Sequence, residues 1–232
     1  MSKTYKHIFF DLDHTLWDFD TNSKLALQQI YETEKLVSRN IPSFENFHHR
    51  YKMINDRYWA RYHNSHVTKE QLRVGRFFDA LAEFGVRDQF LAERMAQSYI
   101  EISPRMTALF TNAVDVLVYL DEKYPLHLIT NGFAEVQWLK LEHSGLKPFF
   151  EHIIISEEVG TQKPDRKIFE IAMERAQTQP SECVMIGDNM NTDIAGARAA
   201  GIDQIFFNPN RKHTRDKATH QIFELKELMQ LL

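Results

Sequence analysis

The chain has 232 residues, of which 28 are Lys or Arg and 32 are Asp or Glu, so its formal net charge is −4. This mild acidic balance argues against a protein that coats nucleic-acid polymers, since such proteins carry a clustered basic face. Hydrophobic residues make up 43% of the chain and charged residues 26%, which is ordinary for a globular protein and excludes disorder over most of its length. The length suits one compact domain with a sizeable insertion.

Cysteine content and hydropathy indicate the cellular compartment. Cys183 is the only cysteine, so no intrachain disulfide can form, which fits a reducing environment. The first apolar run, residues 8–10, is too short for the core of a signal peptide. No stretch reaches the ~18 apolar residues that a membrane span needs. We therefore expect a cytoplasmic protein without a membrane partner.

Short apolar runs alternate with helical patterns along most of the chain. Runs of this length are typical of buried strands in a parallel sheet, and their alternation with helices predicts an α/β fold with a Rossmann-like, doubly wound parallel sheet. Helix signals lie between them: Asn112 is a candidate cap for a helix carrying Val114, Leu117 and Val118. Gly145 and Gly201 are candidate helix ends. The predicted strands are residues 6–10, 126–129, 153–155, 183–186 and 204–207.

Residues 18–102 contain no convincing strand and read as an all-helical insertion. Aromatic and aliphatic residues between positions 44 and 62 step by three and four, the period of one helix face. Thr68 followed by Gln71 has the form of a capping box, and a further helix is predicted to start at Asp88. We therefore expect a core formed by residues 1–17 and 103–232, with the helical unit inserted after the first strand.

Unusual polar residues follow the predicted strands. Ligands of a parallel α/β sheet bind at the carboxyl ends of its strands, so these residues are expected to meet at one edge. Four acidic side chains brought together there would repel one another unless a cation intervened, and Mg²⁺ prefers such an open set of oxygen ligands. Lys163 and the small donors beside it would suit a transferring phosphoryl group. The residues concerned are Asp11, Asp13, Thr130, Asn131, Lys163, Asp188 and Asp193.

The two aspartates after the first strand are assigned different roles. Alternate residues at a strand end point to the same side, so both carboxylates could face one substrate. Asp11, placed in line with phosphorus, is the candidate nucleophile, and Asp13 is the candidate acid and base. An isolated Asp-x-Asp is more often a turn or a helix cap, but its combination with the other three segments in this order favours an active site.

The segments DLDHT (11–15), TNG (130–132), KP (163–164) and GDNMNTD (187–193) resemble the four motifs of the haloacid dehalogenase-like hydrolase superfamily. The resemblance implies a Rossmann-like core with a helical cap after the first motif. It also implies that Asp11, the backbone carbonyl of Asp13 and Asp188 hold Mg²⁺. It implies further that Asp193 and Asn189 support the metal's waters, although many members carry Ser at the position of Asn189. Thr130 and Asn131 would bind phosphate, and Lys163 would neutralise charge on the nucleophile and the phosphoryl oxygens.

Asp13 also narrows the reaction within the superfamily. Members that dehalogenate haloacids differ two residues after the nucleophile because a halide needs no acid, so a carboxylate there points to phosphate transfer. The finer resemblance is to nucleotidases of pyrimidine nucleoside monophosphates, carried by DLDHTLWDFD, by TNG and by the aromatic-rich insertion. The expected function is a Mg²⁺-dependent phosphomonoesterase that hydrolyses nucleoside 5′-monophosphates through an aspartyl-phosphate.

Several alternatives remain open at this point. A sugar-phosphate phosphatase or a phosphomutase of the same superfamily shares the motifs. A phospho-accepting regulatory domain also places carboxylates, a Thr and a Lys on an α/β sheet, although the order of the residues and the insertion argue against it. Trp17, Phe19 and Arg76 are candidate contacts for a base or for the cap, and packing is an alternative role for each. The partner expected is a small phosphate monoester, and the protein is expected to be a monomer or a homodimer.

Overall fold

The computed structural model describes residues 5–232 and contains one six-stranded sheet. All neighbouring strands are parallel, in the order β3-β2-β1-β4-β5-β6. The predicted α/β doubly wound class is therefore confirmed. The strands are β1 (His7–Phe10), β2 (Leu126–Thr130), β3 (His152–Ile155), β4 (Cys183–Gly187), β5 (Asp203–Phe207) and β6 (His220–Ile222).

The strand order reverses next to the central strand. From β1 the chain moves outward through β2 and β3, and it then returns to the other side of β1 to build β4, β5 and β6. β4 is buried along its whole length, which explains why residues 183–186 appear in the sequence as an unbroken apolar run. β2 is equally buried, although it carries the polar residues His127 and Thr130. β6 was not predicted because only Ile222 of its three residues is buried.

The chain forms two compact units. One comprises residues 5–20 together with Thr107–Leu232, and the other is Thr21–Met106. The sequence placed the core at 1–17 and 103–232 and the insertion at 18–102. Residues 1–4 of that core range lie outside the described residues.

Four long helices follow β1. Two of their predicted starts are confirmed by hydrogen bonds. The Thr68 hydroxyl accepts from the Gln71 N–H while the Gln71 side chain accepts from the Thr68 N–H, and the Asp88 carboxylate accepts from the Leu91 N–H. Among residues 5–232, no helix is both long and apolar enough to cross a membrane. The helices are α1 (Phe19–Thr33), α2 (Phe44–His63), α3 (Lys69–Ala82) and α4 (Gln89–Ile102).

The helical unit has its own apolar core. α2 contributes Phe47, Tyr51 and Ile54, which recur at the three- and four-residue spacing seen in the sequence, and α3 contributes Phe77 and Leu81. Burial of large side chains is worth about 1.5–3 kcal/mol each, so this face accounts for the association of the helices.

The remaining helices accompany the sheet. Gly145 and Gly201 adopt the left-handed conformation just after helices, as predicted for helix ends. The last of the four motifs ends within a π-helical turn, Met190–Ile194, which leads into an α-helix. The helices are α5 (Ala113–Asp121), α6 (Ala134–His143), α7 (Ser156–Val159), α8 (Arg166–Arg175), α9 (Ala195–Ala199) and α10 (Leu228–Leu231).

The helix predicted after Asn112 is confirmed as α5, but the predicted side-chain cap is absent. Asn112 precedes the helix in a left-handed conformation, but its side chain donates to the Asp115 carboxylate and does not cap the backbone. Val114 and Val118 are 43% and 47% exposed, whereas Leu117 is buried. The apolar face of this helix therefore runs through Leu117 and its helical neighbours, and the two valines lie on the other side.

Candidate active site

The candidate site lies at the carboxyl ends of adjacent strands. Asp11 follows β1, Thr130 ends β2, and Asp188 follows β4. Because β1 is flanked by β2 and β4, these positions meet where the strand order reverses, the place where doubly wound sheets bind ligands. Lys163 reaches the same place from the loop before α8, and its Nζ donates to the carbonyl oxygen of Ile129 at 2.7 Å.

Three carboxylates converge at this point. Oxygens of Asp11, Asp188 and Asp193 all lie within 4.8 Å of one another. Burial raises the pKa of Asp11, and the nearby charge of Asp193 adds to that effect. Burial likewise raises the pKa of Asp188 well above its ordinary value, with Asp193 and Asp11 contributing. The protein thus concentrates negative charge where it is poorly solvated.

Lys163 supplies positive charge to this cluster. Its Nζ lies 2.5 Å from Asp11 Oδ1 and 2.7 Å from Asp193 Oδ1, and only 2% of its side chain is exposed. Burial alone would lower the pKa of Lys163, but the two carboxylates outweigh burial and raise it. Lys163 is therefore held charged and neutralises one of the three acids.

Asn131 fixes the position of Lys163. Its Nδ2 donates to the Lys163 carbonyl oxygen and its Oδ1 accepts from the Lys163 N–H, both at 2.8 Å. The sequence assigned Asn131 to phosphate binding. In the structure its side-chain amide ties the loop after β2 to the loop before α8, which leaves the backbone of this loop as the part free to face a ligand.

The loop after β4 is closely packed around Asp193. A Cβ atom at Gly187 would lie 2.3 Å from Asp193 Oδ2, so only glycine allows this approach. Asp193 Oδ2 also accepts from the Asn189 N–H at 3.0 Å. The Asn189 side chain, expected to support the metal's waters, accepts from two backbone N–H groups of the following turn at 2.9 and 3.3 Å. Asn189 thus caps that turn.

The Asp13 carboxylate is held by α6 and is not part of the acidic cluster of Asp11, Asp188 and Asp193. Lys140 Nζ lies 2.6 Å from Asp13 Oδ1, and Gln137 Nε2 donates to Asp13 Oδ2 at 3.0 Å. Burial would raise the pKa of Asp13, but Lys140 and the hydrogen bond from Gln137, with a smaller contribution from His14, lower it. The sequence analysis grouped this carboxylate with the other three, whereas the structure turns it toward a separate ammonium group.

Gln137 and Lys140 were missed by the sequence analysis. Both are buried, and Gln137 also donates to Thr130 Oγ1 at 2.6 Å. A Cβ at Gly132 would lie 2.3 Å from the Gln137 side chain, so the glycine after Thr130 and Asn131 makes room for it. Their i, i+3 spacing could have identified them, because it places both polar side chains on one face of the helix that follows the TNG motif.

The three candidate contacts for a base are packed within their own units. Trp17 is fully buried, and Lys140 Nζ lies 4.4 Å from its ring centroid. Phe19 is half-buried, with its ring 6.1 Å from that of Trp17. Arg76 is 4% exposed and donates to Asn55 Oδ1 at 2.9 Å. In the structure, Trp17 and Arg76 therefore have the packing role that the sequence analysis gave as the alternative to base contact.

The acidic cluster fits a hard divalent cation. Its donors are all carboxylate oxygens, and Lys163 offsets only part of their charge. The raised pKa values of Asp11 and Asp188 show that two ionised groups are costly there without further positive charge. Mg²⁺ prefers oxygen ligands and keeps several waters, which suits a half-buried group such as Asp188.

Fold and site together define an α/β enzyme whose active site holds carboxylates and a buried lysine at the point where the strand order reverses. The family model described as haloacid dehalogenase-like hydrolase matches residues 5–201. The chain belongs to this family and is a phosphatase. Hydrolases of this family use a divalent metal.

Individual proteins agree with this assignment. Pyrimidine 5′-nucleotidase PynA of Streptococcus pneumoniae is 33% identical over 98% of this chain and 95% of its own. Glyceraldehyde 3-phosphate phosphatase of Methanothermobacter thermautotrophicus is 30% identical over 88% of this chain and 85% of its own. The crystal structure of the HAD-hydrolase YfnB from Bacillus subtilis, bound to magnesium, superposes with a TM-score of 0.87 at 31% identity and covers 99% of both chains.

Proposed function

We propose that the protein is a Mg²⁺-dependent phosphomonoesterase of nucleoside 5′-monophosphates, with a preference for pyrimidines, and that Asp11 forms an aspartyl-phosphate. The observation that carries the proposal is the position of Asp11, which Lys163 contacts at 2.5 Å at the carboxyl end of the central strand. A carboxylate can attack phosphorus there while positive charge stabilises the equatorial oxygens.

In the first half-reaction, Asp11 attacks phosphorus and the bond between phosphorus and the ester oxygen breaks. Asp11 Oδ2 accepts from the Thr15 hydroxyl at 3.2 Å, and Oδ1 lies against Lys163, so the carboxylate is held in one orientation. Asp13, once separated from Lys140 and protonated from solvent, gives that proton to the departing oxygen. Fixing the nucleophile in this way removes part of the entropic cost of an in-line attack.

In the second half-reaction, water attacks phosphorus, gives its proton to Asp13, and phosphate leaves Asp11. Lys140 keeps Asp13 ionised, which is the form that a base needs. The protonated form needed in the first half-reaction requires that Asp13 separate from Lys140. Lys140 and Gln137 are therefore positioning residues that hold Asp13 in its base form.

The cation would be held by Asp11, the backbone carbonyl of Asp13 and Asp188, with Asp193 and Asn189 supporting its waters. When bound it neutralises charge on the phosphoryl oxygens and the nucleophile. Asp193 has a second task that needs no cation, because it pairs with Lys163 at 2.7 Å and keeps that lysine in place.

Phosphate contacts are proposed for Thr130, Asn131 and Lys163. The Thr130 hydroxyl accepts from Gln137, which leaves its own O–H free to donate to a phosphoryl oxygen. Asn131 would donate through its backbone, because its side chain is bonded to the backbone of Lys163.

The name of PynA, at 33% identity over nearly the whole of both chains, supports a pyrimidine nucleotide as substrate. The name of the glyceraldehyde 3-phosphate phosphatase supports a sugar phosphate and makes that class the alternative. The helical unit Thr21–Met106 is proposed to act as the cap that shapes specificity and excludes water. Phe19, half-buried after the first motif, is the candidate base contact that remains partly accessible.

A substrate panel tests the assignment. Release of inorganic phosphate is measured with Mg²⁺ at matched concentrations of pyrimidine monophosphates, purine monophosphates, hexose phosphates and triose phosphates. We expect the highest kcat/KM for a pyrimidine monophosphate and multiple turnovers on an aryl phosphate. A profile led by a sugar phosphate would contradict the nucleotidase assignment, isomerised product without phosphate release would indicate a phosphomutase, and a single turnover would indicate a phospho-accepting regulatory domain.

Metal removal should make stability fall as pH rises. In the folded protein the pKa values of Asp11 and Asp188 lie above the ordinary carboxyl value of about 4. The folded state then binds more protons than the unfolded state above that pH, so its stability is greatest at low pH and is lost as pH rises through the folded pKa values. With a chelator, we expect the Tm to fall by several degrees more between pH 5.5 and pH 8.5 than it does with Mg²⁺ bound. The buried His127, whose pKa is lowered to about 3, acts in the opposite direction but equally in both series.

The control for this experiment is the same pH series with Mg²⁺ in excess. A bound cation removes the penalty for ionising both carboxylates, so the decline with pH should be much smaller. The lowered pKa of Asp13 acts only below about pH 4 and does not affect this range. Equal pH slopes with and without Mg²⁺ would show that the cation does not bind at this cluster.

A further inference from the structure

Three histidines stack in a row at the opposite edge of the sheet, where the strands begin. His127 and His152 are directly paired across β2 and β3. The ring centroids of His7 and His127 are 5.3 Å apart, and so are those of His127 and His152, with interplanar angles of 20° and 17°. The row lies on the first strands of the core unit and is separated along β1 and β2 from the carboxyl-end residues.

The middle ring is buried and incompletely satisfied. His127 is 0% exposed, and its neighbour Phe9 lies 5.0 Å away between ring centroids. His127 Nε2 forms a hydrogen bond with His7 Nδ1 at 3.1 Å. Its other nitrogen, Nδ1, is buried and has no hydrogen-bond partner within residues 5–232. An apolar side chain would pack at this position without that cost, so packing alone does not account for a histidine here.

Two further metal-ligating groups lie beside the His127 ring. One ring nitrogen of His127, one ring nitrogen of His152 and a carboxylate oxygen of Glu151 all lie within 4.8 Å of one another. Since Nε2 of His127 is bonded to His7, Nδ1 is the nitrogen left for a ligand. His152 is half-buried and Glu151 is exposed, so the cluster opens to solvent on one side.

We infer that His127, His152 and Glu151 form a second metal site, selective for a borderline dication such as Zn²⁺ and distinct from the acidic cluster of Asp11, Asp188 and Asp193. Two imidazoles and one carboxylate make up a ligand set that Zn²⁺ uses, whereas Mg²⁺ prefers oxygen alone. Ligand atoms around a tetrahedral Zn²⁺ are roughly 3.4 Å apart, so closing the set needs small rotations of the His152 and Glu151 side chains, neither of which is fully buried. His7 acts in the outer shell, because its bond to Nε2 orients the imidazole of His127.

The test is metal binding by the whole chain with Mg²⁺ in millimolar excess, which occupies the carboxylate cluster. Zn²⁺ binding is followed by calorimetry, and Co²⁺ is used as a spectroscopic probe of its ligand geometry. We expect one Zn²⁺ per chain and intense visible Co²⁺ absorption typical of a tetrahedral site. His152→Gln and Glu151→Gln should each weaken Zn²⁺ binding at least tenfold while phosphate release stays unchanged.

His143→Gln, at an exposed histidine near the end of α6, is the matched control and should bind Zn²⁺ like the unchanged protein. His152 and Glu151 are used because neither is fully buried, so the variants are expected to fold. Equal Zn²⁺ affinity in His152→Gln and the unchanged protein would overturn the proposal. Loss of Zn²⁺ binding in Asp188→Asn but not in His152→Gln would also overturn it, since Zn²⁺ would then occupy the acidic cluster.

Discussion

Replacement of Asp11 by Asn should abolish phosphate release while the protein stays folded. A neutral amide cannot attack phosphorus, so no aspartyl-phosphate forms, and removal of a nucleophile lowers turnover by roughly 10³-fold or more. The substitution preserves side-chain size at a site that is 6% exposed. It also removes one of three converging negative charges, so the Tm in a chelator should equal or exceed that of the unchanged protein.

The experiment compares initial rates of phosphate release from an aryl phosphate and from a pyrimidine monophosphate, both with Mg²⁺. Asp121→Asn is the matched control, because this aspartate is exposed at the end of α5 and touches nothing in the site. It should retain full activity. If Asp11→Asn retained more than a few per cent of the original turnover, another group would have to be the nucleophile, and the mechanism proposed for this site would be wrong.

The sheet was predictable because its strands are buried on both faces. Strands such as β4, in which every residue is buried, leave an apolar run that needs no partner to be recognised. β6 leaves no such run, because His220 and Gln221 are exposed and its place depends on pairing with β5. The valines of α5 show a related limit, since a helical apolar spacing does not by itself say which face is covered.

The residues around Asp11 could be found because motifs at strand ends converge by topology alone. Each of Asp11, Thr130 and Asp188 directly follows or ends a strand, so parallel pairing of the strands brings them together independently of the loop conformations. The orientation of a side chain within the site is a different matter. Asp13 is two residues from Asp11 and was expected to face the same ligands, yet α6 supplies Lys140 at 2.6 Å.

The contacts of Lys140 and Gln137 with Asp13 could not be predicted from the sequence, for a physical reason. A lysine in a helix is usually solvated, and only the tertiary structure shows that this one is 4% exposed beside Trp17. The side-chain hydrogen bonds of Asn131 were likewise not predictable from the sequence. Its position in the second motif suggested a ligand, but both halves of its amide are used by the backbone of Lys163.

Lys163→Met should cost both activity and stability, and the second effect reveals what the lysine does in the resting protein. Lys163 is the ammonium group that contacts Asp11 and Asp193, and removing one partner of such a buried pair costs about 3–5 kcal/mol. Methionine fills most of the volume but leaves the acids facing one another. Turnover should fall below detection, because the phosphoryl oxygens also lose their cationic contact.

The pH dependence of the stability of Lys163→Met shows whether the variant is destabilised by the loss of the ammonium charge or by the loss of packing. In Lys163→Met the carboxylates can escape repulsion only by binding protons, so the deficit in the free energy of unfolding should be larger at pH 8 than at pH 5. Excess Mg²⁺ should recover part of the stability and none of the activity. Lys167→Met, four residues along and exposed on α8, is the matched control and should behave like the unchanged protein. A deficit of the same size at both pH values would mean that Lys163 matters for packing, and the charge balance proposed for the site would then be wrong.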